Sequence, residues 1–406
     1  MKTIIRNILL SVLTLLATCG NAVAAVSDTV ISIVNFYPGQ EIFELEGHTA
    51  LRVRMPNNDM AVSYGMFSFD DPNFVYRFVK GETDYWVGVV PWAYFAENYE
   101  LHGRRIVEHQ LNMSAEQRNR LLELLDENLK PENRVYRYNY IFDNCATRPL
   151  RIVELAMGDS IVLGNVAPDM AEDATFRDVM RHYHRNYPWY QFGIDLCLGP
   201  GIDRAMTNRE RSFAPVVLDA QLLGAKVAGK PLVANTIVLN NVAEDEAVDG
   251  PTPWYLTPMS VFVLLLIIAI LLTFRDVRRR KVTRWFDTIL FFSFFVEGCI
   301  IFYLVTVSTH EATTPNWLIV WINPLCIIPA VCEWIKRAEK LLIWYQIINF
   351  ALLLLLVLCW GLTGQSANAA FWPMIAAEML RSASYVIINR KHTPRNDNKI
   401  DKKKRT

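Results

Sequence analysis

The sequence predicts a chain in two parts: a mixed α+β domain exported from the cytoplasm, followed by an all-α domain of five transmembrane helices. Three observations predict this. The 406 residues exceed what one ordinary domain needs. Apolar residues make up 52% and charged residues 20%, with a mean hydropathy of +0.16, a pairing that one uniform soluble domain rarely shows. The two kinds of residue are also segregated, because residues 26–243 mix polar and apolar positions whereas 258–389 are apolar spans with basic punctuation. Lys+Arg and Asp+Glu stand at 41 each, so there is no basic excess for nucleic acid, and none is expected as a partner.

Residues 1–25 read as a signal peptide. Lys2 and Arg6 precede an apolar run at 8–17 that is shorter than a membrane span, and Ala22-Val23-Ala24 is a small-x-small cleavage pattern. Cys19 follows Leu16, Ala17 and Thr18 in an arrangement similar to a lipoprotein box; Thr18 fits that box poorly, and use of Cys19 stays open. The mature N-terminal part therefore lies in an oxidising compartment.

Within it, residues 30–36 alternate and are bounded by Tyr37-Pro38-Gly39, as a strand would be. Further strands are expected at 49–55, 61–67, 85–90 and 105–111, and an extended stretch at 134–142. Ser114 and Gln117 form a capping box that opens a helix to about residue 129. A helix follows Cys145, another starts at Thr175, residues 194–198 look strand-like, 198–201 form a turn, and a last helix lies near 215–223.

Residues 244–257, acidic and proline-bearing, read as a linker, with Trp254 and Tyr255 at aromatic-belt positions. Spans are expected at 258–274, 286–306, 317–334, 341–360 and 371–388, each close to the ~20 residues that cross a bilayer. The third carries Asn323, Pro324 and Pro329 and is expected to kink. The fifth carries Glu378 and Arg381, which must pair or face protein. Segments 275–284, 335–340 and the tail 390–406 hold all seventeen basic residues of the connecting regions, against none in 308–316 and 361–370. With an exported N-terminal domain and a cytoplasmic tail, that alternation requires an odd number of spans.

Of seven cysteines, Cys19 lies in the signal peptide and Cys299, Cys326, Cys332 and Cys359 in expected spans, leaving Cys145 and Cys197 for the exported domain. A disulfide is the ordinary reading of such a pair. Their surroundings argue otherwise: Cys197 sits in an apolar strand-like run as a small hydrophobe, and Cys145 follows Asp143 and Asn144 at a helix start. There the positive dipole end favours a thiolate and free N–H groups can hold an oxyanion. Among the histidines, His48 follows Gly47 at the mouth of a strand and is the candidate base for a His48–Cys145 dyad. His102, His109, His182 and His184 read as surface or loop residues. There is no CxxC and no HExxH, so no metal is expected.

The blocks EGHTALRV at 46–53 and YNYIFDNCATR at 138–148 resemble the two signature blocks of the Bacteroidota lipoprotein N-acyltransferase family. YGMF at 64–67, FVKG at 78–81, GIDLCLG at 193–199 with Asp203 and Arg204, and STHE at 308–311 with Asn316, Asn323 and Pro324 are similar as well, so the resemblance covers nearly the whole chain. Cys197 departs from the Leu or Val expected there. The His-before-Cys order is similar to the permuted papain-like group (NlpC/P60 and lecithin:retinol acyltransferase), in which a strand-borne His serves a Cys at a helix N-terminus.

The resemblance implies an enzyme of the inner membrane, multi-pass, with a periplasmic domain at 26–243 and no cofactor; a monomer is expected, though the sequence does not give the oligomeric state. The implied reaction moves an acyl chain from a phospholipid to Cys145 as a thioester, then to the α-amine of a diacylglyceryl-cysteine lipoprotein. His48 and Cys145 are the catalytic candidates, and Asn144, Tyr64 and Arg148 the supporting ones; the group that orients His48 stays open among Tyr64, Asn144 and Asp143. His310, in an outward loop with Glu311, is the membrane-side candidate. A membrane-anchored cysteine peptidase or amidase of the cell envelope is the alternative, and a non-catalytic lipoprotein-binding module is a third.

Overall fold

The computed structural model describes residues 28–165 and 171–389, so the signal peptide with Cys19 and the basic tail at 390–406 lie outside the described residues. The chain divides into two compact units, one formed by the chain up to His184 with Arg204–Gly250, the other by Arg185–Asp203 with the chain from Pro251 onward. The α+β class with a helical C-terminal part is the class observed.

The first unit is built on a seven-stranded antiparallel sheet. Its strands are β1 (Val30–Phe36), β2 (His48–Met55), β3 (Asn58–Met66), β4 (Asp84–Pro91), β5 (Ile106–Leu111), β6 (Val135–Arg137) and β10 (Val233–Val238), in the order β10-β5-β1-β2-β3-β4-β6. Residues along a strand alternate between the two faces, and the register sorts the sequence accordingly. Phe36 pairs with His48 and Val34 with Ala50, so these share one face. That face packs under α2 (Trp92–Leu101), with Val34, Phe36, Ala50, Ala96 and Ile106 as its buried core. The other face carries Ile31, Ile33, Leu51, Val53, Val62 and Tyr64. It is covered by α3 (Ala115–Leu129) through Leu121 and Leu125, by α4 (Thr147–Met157) through Leu150 and Val153, and by α7 (Pro215–Leu222) through Leu218 and Leu222. α1 (Phe74–Lys80) and α5 (Phe176–Tyr183) complete the unit, with a small sheet of β7 (Ile161–Val162), β8 (Lys226–Val227) and β9 (Lys230–Pro231). The Ser114–Gln117 capping box forms as expected.

Two local readings need correction. The strand-like run at 194–198 is the end of a helix, α6 (Pro188–Cys197); Pro188 at its first turn fixes a helical φ and outweighs the apolar run. Of the extended stretch 134–142, only β6 is strand, because Asn139 and Asp143 close a turn on each other.

In the second unit, Pro258–Arg279, Arg284–Thr306 and Lys336–Leu362 are long and apolar enough to cross a membrane. The helices there are α8 (Pro258–Arg279), α9 (Arg284–Thr306), α10 (Ile327–Cys332), α11 (Glu339–Cys359) and α12 (Phe371–Asn389). The third expected span is not one helix. It runs as two 3-10 turns, Trp317–Val320 and Pro324–Cys326, ahead of α10, since Asn323 caps the Leu325 N–H and Pro324 restarts the chain. In α12 the two ionisable residues do not pair with each other; both face protein. Glu378 accepts from Trp321 Nε1 at 2.7 Å and Asn349 Nδ2 at 2.8 Å, while Arg381 joins Asp276 of α8 and Asp287 of α9 at 2.9 Å and 2.5 Å.

Segment 185–203 is stitched into this unit through its backbone. Asn316 Nδ2 donates to Leu196 O at 2.8 Å, and the Gly199 N–H donates to Ala312 O at 2.8 Å. A Cβ on Gly199 would fall 1.8 Å from Pro315 O, so only glycine permits this approach.

Candidate active site

The candidate residues divide by unit: His48, Tyr64, Asn144, Cys145 and Arg148 belong to the first, His310 to the second. Asn144 sets up the nucleophile. Its Oδ1 accepts from the Ala146 and Thr147 N–H groups at 2.9 and 3.0 Å, which is the work of an N-cap. Its Nδ2 donates to Tyr140 O and Phe213 O, both at 2.7 Å. Every polar atom of this buried side chain is thereby spent on placing Cys145 in the first turn leading into α4.

The β2–β3 ladder stops at Ala50↔Ser63, one residue short of Thr49, and beyond Ser63 β3 shifts register against β4. The backbone N–H groups of Thr49 and of Cys145 itself favour the charged form of the sulfur. Gly65 makes room: its φ is +83°, and a Cβ there would meet the Tyr138 ring at 3.0 Å and Cys145 Cβ at 3.6 Å. The Tyr138 hydroxyl reaches the sulfur at 4.0 Å. Behind Thr49 a buried chain runs from its hydroxyl to Asn35 at 2.7 Å and from Asn35 to Asp219 at 3.2 Å. Asp219 also takes Tyr37 at 2.9 Å and His109 at 2.7 Å.

His48 opens β2 on the other face of the sheet. Its Nε2 shares a hydrogen bond with Ser63 Oγ at 2.9 Å, and its ring lies stacked on Tyr99 of α2 at 6.2 Å. Among the described residues no hydrogen bond joins His48 to Cys145. None of the three residues left open as its partner touches it. Tyr64 is fully buried and directs its hydroxyl to Asn128 at 3.4 Å. Asp143 binds Arg148 at 2.7 Å and Arg151 at 3.1 Å, and Arg148 lies over the Tyr136 ring at 3.4 Å. Ser63 is the residue sequence reading missed.

Burial governs the electrostatics. It pushes the Cys145 thiol up to about 11, outweighing the Thr49 and Tyr138 donors that pull it down. Burial thus opposes the thiolate expected from the helix terminus and favours a resting thiol. Burial, with the positive charge of Arg104, holds His48 down at about 3, so the imidazole rests neutral. Both groups therefore rest neutral, and His48 becomes a base for this thiol only if its ring approaches the sulfur and its basicity rises.

Two histidines read as surface residues are buried. His109 lies in β5 against Asp219, and His184 meets Glu46, two residues before His48, at 2.6 Å. The signal for His109 was its phase, shared with Val107 and Leu111 on one face of a strand. Cys145 and Cys197 are both free. His310 heads the 3-10 turn Glu311–Thr313, its carbonyl accepting the Thr313 hydroxyl at 2.8 Å. Among the described residues no cluster of His, Cys, Asp and Glu could hold a metal ion.

Two family models match the chain. Residues 21–182 match the Lnb N-terminal periplasmic domain, and residues 251–393 match the Lnb transmembrane domain. No curated protein matches, and no solved structure matches. The two domains occur in the expected order, the first over the residues that include His48 and Cys145 and the second over the apolar helices. The chain thus belongs to the Lnb lipoprotein N-acyltransferase family and is a membrane protein with a periplasmic domain.

Proposed function

We propose that the protein is a lipoprotein N-acyltransferase of the inner membrane that takes an acyl chain from a phospholipid, carries it on Cys145, and delivers it to the α-amine of a diacylglyceryl-cysteine lipoprotein. The observation that carries this reading is the placement of Cys145: Asn144 caps the turn that holds it, and the Tyr138 hydroxyl reaches the sulfur at 4.0 Å.

In the first half-reaction His48 takes the thiol proton on Nδ1, since Ser63 engages Nε2, and the sulfur attacks the glycerol ester carbonyl. The ring must close on the sulfur for this, as catalytic contacts commonly do when substrate binds. The N–H groups beside the sulfur suit the oxyanion that forms. Collapse breaks the C–O bond, and His48 returns its proton to the leaving lysophospholipid oxygen. In the second half-reaction the lipoprotein amine, whose ordinary pKa of ~7.7–8.0 leaves a neutral fraction, attacks the thioester. His48 takes the amine proton and passes it to the departing sulfur, and an amide has replaced a thioester.

The test is the mass of a reporter lipoprotein's N-terminal peptide made with the wild-type protein, with Cys145→Ala, and without the protein. A third acyl chain that depends on the wild-type protein supports the proposal. A diacyl N-terminus in all three sinks it in favour of the peptidase reading.

A further inference from the structure

Arg104, between α2 and β5, is 2% exposed. Its Nε donates to Tyr37 O at 2.7 Å, its Nη1 to Glu44 Oε1 at 2.5 Å, and its guanidinium lies over the Tyr99 ring at 4.7 Å. Its Nη2 is equally shut off from water and donates to nothing. Buried donors are nearly always satisfied, and an unmet donor on a charged group is among the costliest to keep. This one sits at the end of the sheet where the candidate chemistry lies. The Tyr99 ring beneath the guanidinium is the ring stacked on His48, and the charge of Arg104 is felt at His48 while it interacts with Cys145.

The two partners of the ion pair differ in exposure. The Arg104 side chain is 2% exposed and that of Glu44 is 26%, so the pair opens to water on the carboxylate side. Glu44 lies in the loop from β1 to β2, folded back over Gly39, where a Cβ would fall 2.2 Å from Glu44 Oε2. The carboxylate can leave toward solvent, and the guanidinium cannot.

We propose that Arg104 receives the phosphodiester of the acyl donor, and that Glu44 holds the place of that anion until the donor arrives. The exchange replaces one anion by another. With the carboxylate swung into water, Nη1 and Nη2 together present a planar fork, which matches two non-bridging phosphate oxygens. In a glycerophospholipid the phosphate and the nearer ester hang on adjacent glycerol carbons, so an anchored phosphate brings that ester toward the His48 and Cys145 end of the sheet. This deepens the acyl-transfer reading and rests on it.

The test uses the full-length protein in detergent micelles with two donors of identical acyl chains, phosphatidylglycerol and the diacylglycerol that lacks its phosphate. The readout is the rate at which the Cys145 peptide gains acyl mass. Wild-type protein should favour the phospholipid. Arg104→Gln should shrink that preference at least about tenfold, and Glu44→Gln, which removes the competing anion, should widen it. Each variant is read as a ratio of two donors, so a smaller folded fraction does not alter the result, and Glu44→Gln carries the test if Arg104→Gln fails to fold. A wild-type ratio in both variants, or an equal loss on both donors in Arg104→Gln, overturns the phosphate assignment. If wild-type Cys145 gains acyl mass from neither donor, the acyl-transfer reading falls instead.

Discussion

Arg104 of the periplasmic unit and Arg381 of the membrane unit are both buried, yet the chain treats them in opposite ways. Arg381 spends every nitrogen: Nε on Asp287 at 2.5 Å, Nη1 on Thr273 at 3.1 Å, and Nη2 on Asp276 and Asp287, both at 2.9 Å. Arg104 leaves Nη2 unmet. The same contrast separates Glu378, with both carboxylate oxygens engaged, from His48, with one ring nitrogen engaged. In the apolar setting of the membrane unit Arg381 and Glu378 are compensated and lock helices together, although Glu297 Oε2 there has no hydrogen-bond partner. At the end of the periplasmic sheet spare hydrogen-bonding capacity is kept, which is where a substrate would complete it.

The contrast breaks most visibly at the nucleophile. Cys145→Ala should reduce N-acylation by at least about 10⁴-fold while leaving the amount of protein in the membrane unchanged, read from the reporter's N-terminal mass and the protein's abundance. Triacylated reporter from this variant would remove the reactive half of the comparison.

The resting thiol gives the next largest effect. With the thiol near 11, only the thiolate reacts, and its fraction grows tenfold per pH unit below that value. Alkylation of Cys145 by iodoacetamide should therefore climb about a thousandfold from pH 6 to pH 9. A plateau across this range would mean a thiolate–imidazolium pair and would overturn the electrostatic account.

Arg381→Leu sharpens the other half. It strands Asp287 without its cation and leaves Asp276 only Arg275 at 3.4 Å, which should cost about 3–5 kcal/mol and lower abundance steeply. The activity per folded molecule should hold, since Arg381 belongs to the framework of α8, α9 and α12. Undiminished abundance would mean that these ion pairs contribute nothing to the fold.

Smaller effects test the residues around the chemistry. Ser63→Ala should lower kcat about tenfold (~1.4 kcal/mol) by freeing the His48 ring, with the preference between donors unaltered. An unchanged kcat would return the orienting role to another group. His310→Ala should lower acyl transfer about tenfold at unchanged abundance if this outward-loop residue meets a lipid headgroup. Full activity would confine the chemistry to the periplasmic unit.

Legibility followed the range of the interactions. The strand at 30–36, the 114–117 capping box and the apolar spans at 258–274 and 286–306 were readable because their causes are local: alternation, a cap, a continuous run. His48 and Cys145 were singled out by their places at a strand mouth and a helix start. Ser63 and Arg104 were not, because each acquires its meaning from a partner on another element, set by the β2–β3 register or by the β1–β2 loop. His184 reads as surface from its charged neighbours Arg181 and Arg185, and only the fold brings it to Glu46. The force opposing the expected thiolate was hidden for a similar reason: the dipole at a helix start is local, whereas burial is a property of the whole unit.

The central claim is that Cys145 carries the acyl chain. It is tested most directly by isolating the full-length protein from membranes in which lipoprotein export is blocked, and weighing the Cys145 peptide before and after neutral hydroxylamine. The account predicts a fatty-acyl mass on that peptide that hydroxylamine removes, absent from Cys145→Ala. An unmodified Cys145 in protein that still triacylates its lipoproteins would contradict it.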